Sequence, residues 1–340
     1  MPEEKKQIRL GFIGCGGHSS ATLQPNAHMV AEIQMVAMCD LDAAKAKRAA
    51  ERWGVNAWYT DLNVMLKEQQ LDAVVVCGPP MMMQPLTKEM LGRGLNVFTE
   101  KPPAVTAALA KELVDASQAS GKVGMVATHW RHSPAYAKAR DLMAQPAFGQ
   151  PSHCQGWFFA PGPTGPLWGA NALGGYLLAQ GVHLVDCTRS LMGDVAEVSA
   201  HGRTTEQAFD SCSVSLKFKS GATGTLSLLA RAPYWTGHRV FGTGGGFAEV
   251  QNGRDLRCAL PPFWTGEKGV DYHNHSFQTW GYSPFIPGYA GAGYMQELQH
   301  FAASILAGKQ PVASLKDGYE AMRVLEAIRD SAVSGKPMAL

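Results

Sequence analysis

The stretch GGYLLAQGVHLVD, Gly174 to Asp186, places one histidine among small and aliphatic residues. An imidazole exchanges its proton near pH ~6.5, so His183 suits general acid/base work wherever a ligand reaches it. A lone histidine in an apolar helix is by default a packed one. The pair Gly174 and Gly175 argues for the active role, because residues without side chains let the chain pass close to a ligand. Asp186, one turn after His183, reads as structural. A second titratable candidate is Lys101, in the triplet Glu100-Lys101-Pro102 that follows the apolar run LNVFT. Carboxyl ends of strands are where ligands gather in open α/β sheets, and this separates Lys101 from an ordinary surface lysine.

A third feature is GFIGCGGHSSA, which carries Gly14-x-Gly16-x-x-Ser19 where a strand passes into a helix. In a dinucleotide-binding loop the first glycine permits the tight turn. The second lets the backbone approach a pyrophosphate resting on the helix N-terminus, and the third position needs only a small residue. The next strand ends in CDLD, and Asp40 lies 21 positions beyond Ser19, close to the ~20 expected of a ribose-binding acid. A carboxylate there repels a 2′-phosphate, so NAD(H) is favoured over NADP(H). The alternative for Asp40 is a cap on the helix starting near Asp42. The later GTGGG at Gly242–Gly246 lies between strand patterns and reads as a turn.

These residues need a scaffold. From Ile8 to about Thr128, the runs IRLGFIG, IQMVAMC, AVVVC, LNVFT and VGMVAT alternate with helical patterns such as DAAKAKRAAERWG and TAALAKELVDASQASG. Near-continuous apolar strands separated by helices describe a doubly wound parallel sheet. Downstream, DSCSVSLKFKSGATGTLSLL alternates every second residue, and HCQGWFFA, AEVSAHG, HRVFGT, FAEVQ and LRCAL are strand-like. They predict a large, mainly antiparallel sheet with one covered face. The expected division is residues 1–128 for nucleotide binding and 129–340 for substrate binding and oligomerisation. Two terminal helices, from about Tyr294 and Lys316, are free to pack back on the first domain. The Pro-, Gly- and aromatic-rich segment Pro261–Gly293 is read as shaping a pocket or interface.

Composition narrows the function classes. The 340 residues are 46% hydrophobic and 17% charged, with net charge +2 and no basic run, which fits a packed two-domain enzyme and argues against nucleic acid. The start MPEEKKQIRLGFIG matches neither a signal peptide nor a membrane span, so a cytoplasmic location is expected. Seven scattered cysteines without C-x-x-C spacing read as reduced thiols. His273 and His275 have metal-like H-x-H spacing, but no neighbouring acid or cysteine completes a site, and no metal is expected.

The glycine loop, CDLD, the turn CGPP, Glu100-Lys101-Pro102 and GGYLLAQGVHLVD together resemble the glucose-fructose oxidoreductase and inositol dehydrogenase (Gfo/Idh/MocA) family over nearly the whole chain. The resemblance implies an N-terminal Rossmann domain, an α/β domain with a large open sheet that often makes a homodimer or homotetramer, and a nicotinamide cofactor. It places the matching lysine, Lys101, beside the nicotinamide and makes the matching histidine, His183, the acid/base. The cofactor set is then Gly14, Cys15, Gly16, Gly17, His18, Asp40, Gly78, Pro79, Glu100 and Lys101. Two departures stand out: many members have an aspartate four residues before the histidine, where this chain has Ala179, and a histidine shortly after the Pro-Pro turn, where it has Met81, Met82, Met83 and Gln84.

Oxidising a secondary alcohol needs hydride loss to nicotinamide C4 and a base at the hydroxyl. His183 is assigned the proton, with Lys101 as the group that orients or relays it. Positions 179 and 183 are expected one helical turn apart, so an aspartate at 179 would raise the imidazole's pKa. Candidate substrate contacts are His129 and Arg131 in THWRHSP, Trp168 and Asn171 ahead of the glycine pair, and Gln180. The leading reading is an NAD-dependent oxidoreductase acting on a sugar, cyclitol or related polyol. The same residues also suit a glycosidase or lyase that cycles a retained NAD through a 3-keto sugar, or a non-catalytic NAD-binding regulator.

Overall fold

The computed structural model describes residues 7–260, 278–281 and 292–340. The chain divides into two compact units, one running to His129 and including Tyr294–Met322, the other comprising Trp130–Gly293 and Arg323–Leu340.

Six parallel strands form the sheet of the first unit: β1 (Ile8–Ile13), β2 (Ile33–Cys39), β3 (Trp58–Tyr59), β4 (Ala73–Val76), β5 (Asn96–Thr99) and β6 (Gly124–Val126). Their spatial order is β3-β2-β1-β4-β5-β6, the Rossmann arrangement, in which the strand order reverses between β1 and β4. Ile13 pairs with both Cys39 and Val76, and Val76 with Thr99. Four strands therefore end level, and the loops that follow them share one edge. The strands are apolar throughout because both faces are covered. Phe12, Val75 and Phe98 pack with Leu298 and Phe301 on one side, and Ile13, Val74 and Val97 with Met90 and Leu113 on the other. The helix Tyr294–Ala307 supplies part of that cover by lying against β1 and the helix Gln24–His28. Short β3 was not legible as a strand, and Glu100-Lys101-Pro102 follows the fifth strand of the sheet.

The second unit is built on a nine-stranded sheet among the described residues. Its strands are β7 (Pro151–Phe159), β8 (Val195–Thr204), β9 (Phe209–Phe218), β10 (Thr223–Leu229), β11 (Trp235–Gly242), β12 (Phe247–Gln251), β13 (Asp255–Ala259), β14 (Gln278–Gly281) and β15 (Met338–Ala339), in the order β14-β13-β12-β11-β7-β10-β9-β8-β15. Only the β7–β10 pair is parallel, a direction that alternation cannot encode. Cys212, Val214, Leu216 and Phe218 of β9 are buried, whereas Ser213, Ser215 and Lys217 are exposed. One long helical run crosses the covered face, and its Val182–Met192 part packs on β7 and β11. Gly242–Gly246 is the expected turn, closed by the Gly242 N–H donating to the Gly246 carbonyl.

All seven cysteines are free, six of them buried. No helix among the described residues is long and apolar enough to cross a membrane. His273 and His275 lie outside the described residues, as does most of Pro261–Gly293.

Candidate active site

The glycine loop follows β1 and abuts the turn after β4. Gly14 has φ +97°, and a Cβ there would lie 1.9 Å from the Cys77 carbonyl oxygen, so only glycine fits on both counts. Cβ atoms at Gly16 and Gly17 would meet nothing within 4 Å. The loop therefore offers bare backbone to a ligand at the start of the helix, the positive end of its dipole.

Asp40 stands beside this loop. Its Oδ2 accepts the Cys15 N–H at 2.7 Å and its Oδ1 the Asp42 N–H at 2.9 Å. It is not the helix cap. Asp42 takes that place, accepting the Ala44 and Lys45 N–H groups. Asp40 braces the glycine loop while keeping lone pairs for a further donor. Next to it opens a cavity of about 550 Å³ lined by Gly14, Gly16, Asp40, Leu41, Lys45, Thr60, Leu62, Gly78, Pro79, Met82, Pro85 and Leu86. Acid and glycines on one side and an apolar clamp on the other suit an adenosine with its diphosphate. Leu41 is 91% exposed at this mouth, and Pro85 and Leu86 were missed because nothing in their types marks them as ligand-facing. The solvent-facing apolar Leu41 directly after a strand-end aspartate was the available signal.

Glu100 and Lys101 emerge one strand further along the same edge. Glu100 is buried, its Oε2 accepting the Lys101 backbone N–H at 2.9 Å and its Oε1 lying 2.8 Å from His18 Nε2. Burial pulls the Lys101 pKa below its usual value, against the opposing pull of Glu100 and Cys77. The Cys77 thiol is pushed up, first by burial and then by Glu100 and Cys15, so it stays protonated. His129 stacks on Tyr294 at 4.0 Å, and His18 meets the same ring edge-on at 6.0 Å.

In the second unit, His183 is 7% exposed, with Trp130 at 5.8 Å and Phe158 parallel to it at 6.4 Å. Its helical run starts at Ala172 and is capped by Asn171, whose Oδ1 accepts the Gly174 N–H at 2.9 Å. Leu177–Gly181 forms a π-turn, in which the Val182 N–H bonds to the Leu177 carbonyl. The wider turn breaks the one-turn spacing expected between Ala179 and His183. Arg131, read as a substrate contact, directs Nε and Nη2 to the buried Asp186 carboxylate at 2.6 and 2.8 Å. Trp168 has φ +52° in the turn between Leu167 and Ala170, and Gln180 lies half-buried on the π-turn.

A directed chain of hydrogen bonds fixes the helix behind His183. Thr188 Oγ1 donates to the Leu184 carbonyl at 2.7 Å, so its contact with His238 Nε2 at 2.9 Å is one it accepts. His238 Nδ1 then accepts the Tyr136 hydroxyl at 2.6 Å. Burial depresses the His238 pKa to about 4, which keeps this tautomer neutral.

Two family models match the chain, "Oxidoreductase family, NAD-binding Rossmann fold" over residues 8–128 and "GFO/IDH/MocA C-terminal domain" over 136–248. The chain belongs to the GFO/IDH/MocA family. Myo-inositol 2-dehydrogenase of Thermotoga maritima is 26% identical over 93% of this chain and 93% of its own length. For scyllo-inositol 2-dehydrogenase (NAD(+)) of Bacillus subtilis the figures are 25%, 98% and 96%. A dehydrogenase from Chromobacterium violaceum superposes with a TM-score of 0.88 at 26% identity, covering 97% and 96% of the two chains. Levoglucosan dehydrogenase in complex with NADH shares the fold, with a TM-score of 0.82 at 20% identity over 98% and 99%. As a member of this family the chain is an NAD-dependent oxidoreductase. The open glycine backbone, Asp40 and the apolar clamp are residues that fit that cofactor.

Proposed function

We propose that this oxidoreductase interconverts a hydroxyl and a keto carbon on a sugar, cyclitol or related polyol, the class named for the inositol dehydrogenase relatives. The observation that carries the reading is the strand-end edge where the bare glycine loop, Asp40 and the desolvated Lys101 lie together in one unit. Bound NAD supplies the hydride acceptor. Gly14, Cys15, Gly16, Gly17, His18, Gly78 and Pro79 hold its phosphates and adenosine, and Asp40 takes the ribose and opposes a 2′-phosphate. Burial lowers the Lys101 pKa, which suits its Nζ to orienting or relaying the hydroxyl proton. His183 is the principal acid/base, its ring held by Trp130 and Phe158. Trp168, Asn171, Gln180 and His129 complete the proposed substrate set, while Arg131, paired with the buried Asp186, supports the helix that carries His183.

The exposed face of the nine-stranded sheet, with Ser213, Ser215 and Lys217, is assigned to a homodimer or homotetramer in the cytoplasm. Light scattering should give a multiple of 36.5 kDa; a monomer mass at micromolar concentration rejects the assembly. The function is tested by incubating the protein with NAD or NADP and inositols, aldoses and anhydrosugars. Reduced cofactor should accumulate with NAD and a polyol. No reduction with any of them, or preference for NADP, contradicts the reading.

A further inference from the structure

The helix Ala43–Trp53, which follows Asp40, carries four basic side chains against one acidic one. Three of the four, Lys45, Arg48 and Arg52, fall at i, i+3 and i+7 and so share one face. That face lines a cavity of about 660 Å³ within the first unit, together with the bare backbone of Gly16 and Gly17. Gly16 and Lys45 also line the cavity that suits adenosine, so the two cavities adjoin. Contacts across the groove brace it. Arg52 Nη1 donates to the Ser20 carbonyl at 3.1 Å, its guanidinium lies 4.8 Å over the Trp53 ring, and Trp53 Nε1 donates to Gln24 Oε1 at 3.0 Å. Counter-charges are few: Lys45 Nζ lies 3.6 Å from the Asp42 carboxylate, and Glu51, on the same wall, is 3.8 Å from Lys47. Among the described residues, Arg48 makes no hydrogen bond or ion pair. Cations gathered along a concave wall hold a positive potential that a single exposed charge does not.

We propose that this wall receives a phosphate monoester carried on the 2′-oxygen of the adenosine ribose, with Arg48 setting how strongly NADP(H) is disfavoured, a role that rests on the cofactor placement given above. Cofactor selectivity is a difference between two affinities. Asp40 repels the added dianion, so NAD(H) stays preferred. Lys45 and Arg48 offset part of that repulsion, and NADP(H) binds as a weaker second cofactor. A guanidinium suits the task because its planar fork gives two donors to two phosphate oxygens. NAD(H) carries a neutral hydroxyl at the same position and gives Arg48 no charge to meet, so its affinity does not depend on this residue. Free phosphate offers the same dianion without the nucleoside. The shared lining at Gly16 and Lys45 favours a phosphate attached to the adenosine next door.

Calorimetric titration of wild type, Arg48→Ala and Arg48→Lys with NAD⁺, NADP⁺, 2′-AMP and inorganic phosphate reads the site without turnover. Wild type should bind NADP⁺, more weakly than NAD⁺. Arg48→Ala should weaken NADP⁺ and 2′-AMP by roughly tenfold, the worth of one charge-assisted contact, and leave NAD⁺ within about twofold. The retained NAD⁺ binding also reports that the variant is folded. Arg48→Lys should recover part of the loss, and added salt should weaken NADP⁺ more than NAD⁺. The assignment is overturned if wild type binds no NADP⁺, if Arg48→Ala leaves NADP⁺ affinity unchanged, or if it weakens NAD⁺ and NADP⁺ equally. A loss of inorganic phosphate binding without a loss of NADP⁺ binding overturns it too, and marks a free-anion site. If the affinities come out as expected while no polyol is oxidised, the polyol reading fails and the phosphate site stands. If polyols turn over and Arg48→Ala leaves NADP⁺ untouched, the site fails alone.

Discussion

The surroundings of Lys101 and those of His183 are built by opposite means. Around Lys101 the main chain makes the site: level strand ends, a glycine at φ +97°, backbone N–H groups on Asp40 and Glu100, and open space over Gly16 and Gly17. Around His183 side chains from distant stretches do so. Arg131 and Asp186 are 55 residues apart and Tyr136 and His238 are 102 apart, while Trp130 and Phe158 flank the ring. A backbone-made site tolerates changes of side chain at many positions and fails at a few glycines. A site held by side chains concentrates its risk in buried polar groups, where removing one partner leaves the other desolvated and uncompensated.

The contrast predicts a ranked series of effects. Replacing His183 by alanine should leave NAD affinity intact, by calorimetry, and reduce turnover by roughly 10²- to 10⁴-fold. Turnover within a few-fold of wild type would make His183 a packing residue. Breaking its support comes next. Arg131→Met strands the Asp186 carboxylate in the core and should cost about 3–5 kcal/mol in urea unfolding, whereas no surface ion pair of the first unit, such as Lys88 with Glu112, should cost more than about 1 kcal/mol.

Acid should expose the same asymmetry. His238 has a folded pKa near 4 against 6.5 when free, so between those values the unfolded chain binds a proton that the folded chain refuses. Its contribution to stability is complete above pH 6.5 and is lost as the pH falls toward 4, a change of about 3 kcal/mol. Thermal melts from pH 7 to 4.5 should show the loss, and His238→Gln should flatten that slope. An unchanged slope would mean that other groups dominate acid unfolding.

In the first unit, Asp40→Ser combined with Leu41→Arg should move preference toward NADP(H). Because Asp40 also braces Cys15 and Asp42, the pair should weaken NAD binding by roughly tenfold or more, read by fluorescence titration. Unchanged NAD affinity would remove the brace from the account. The smallest effect expected is that of Ala179→Asp, which should move the acid limb of the pH–rate profile upward. The π-turn between the two positions limits the shift, and a large one would show the carboxylate reaching His183 despite it.

How much was legible in the sequence follows the same division. The glycine loop, Asp40 and Glu100-Lys101 are contiguous motifs at strand ends, and apolar runs marked the five longer strands around them. Asp42 rather than Asp40 caps its helix, a choice set by local backbone geometry at two aspartates one residue apart that composition does not distinguish. The pairing of Arg131 with Asp186, the Tyr136–His238–Thr188 chain and the π-turn at Leu177–Gly181 were invisible, because each depends on how elements far apart in sequence pack, and an i, i+5 turn leaves no periodic signature in five residues. The His18–Glu100 contact was also missed. Both residues were read as cofactor ligands, but only the level ends of the strands bring them together across 82 positions.

Catalytic turnover of a polyol with NAD, with Lys101 and His183 proposed to handle the proton, is read out by the absorbance of the reduced nicotinamide when protein at low micromolar concentration meets excess NAD and each member of a panel of inositols and sugars. NADH should accumulate to many equivalents per subunit with at least one polyol, and that signal should be lost in both Lys101→Met and His183→Ala. NADH that stops at one equivalent while the sugar is cleaved would instead mark a retained cofactor cycling through a keto intermediate, and no reduction with any of the polyols would contradict the claim outright.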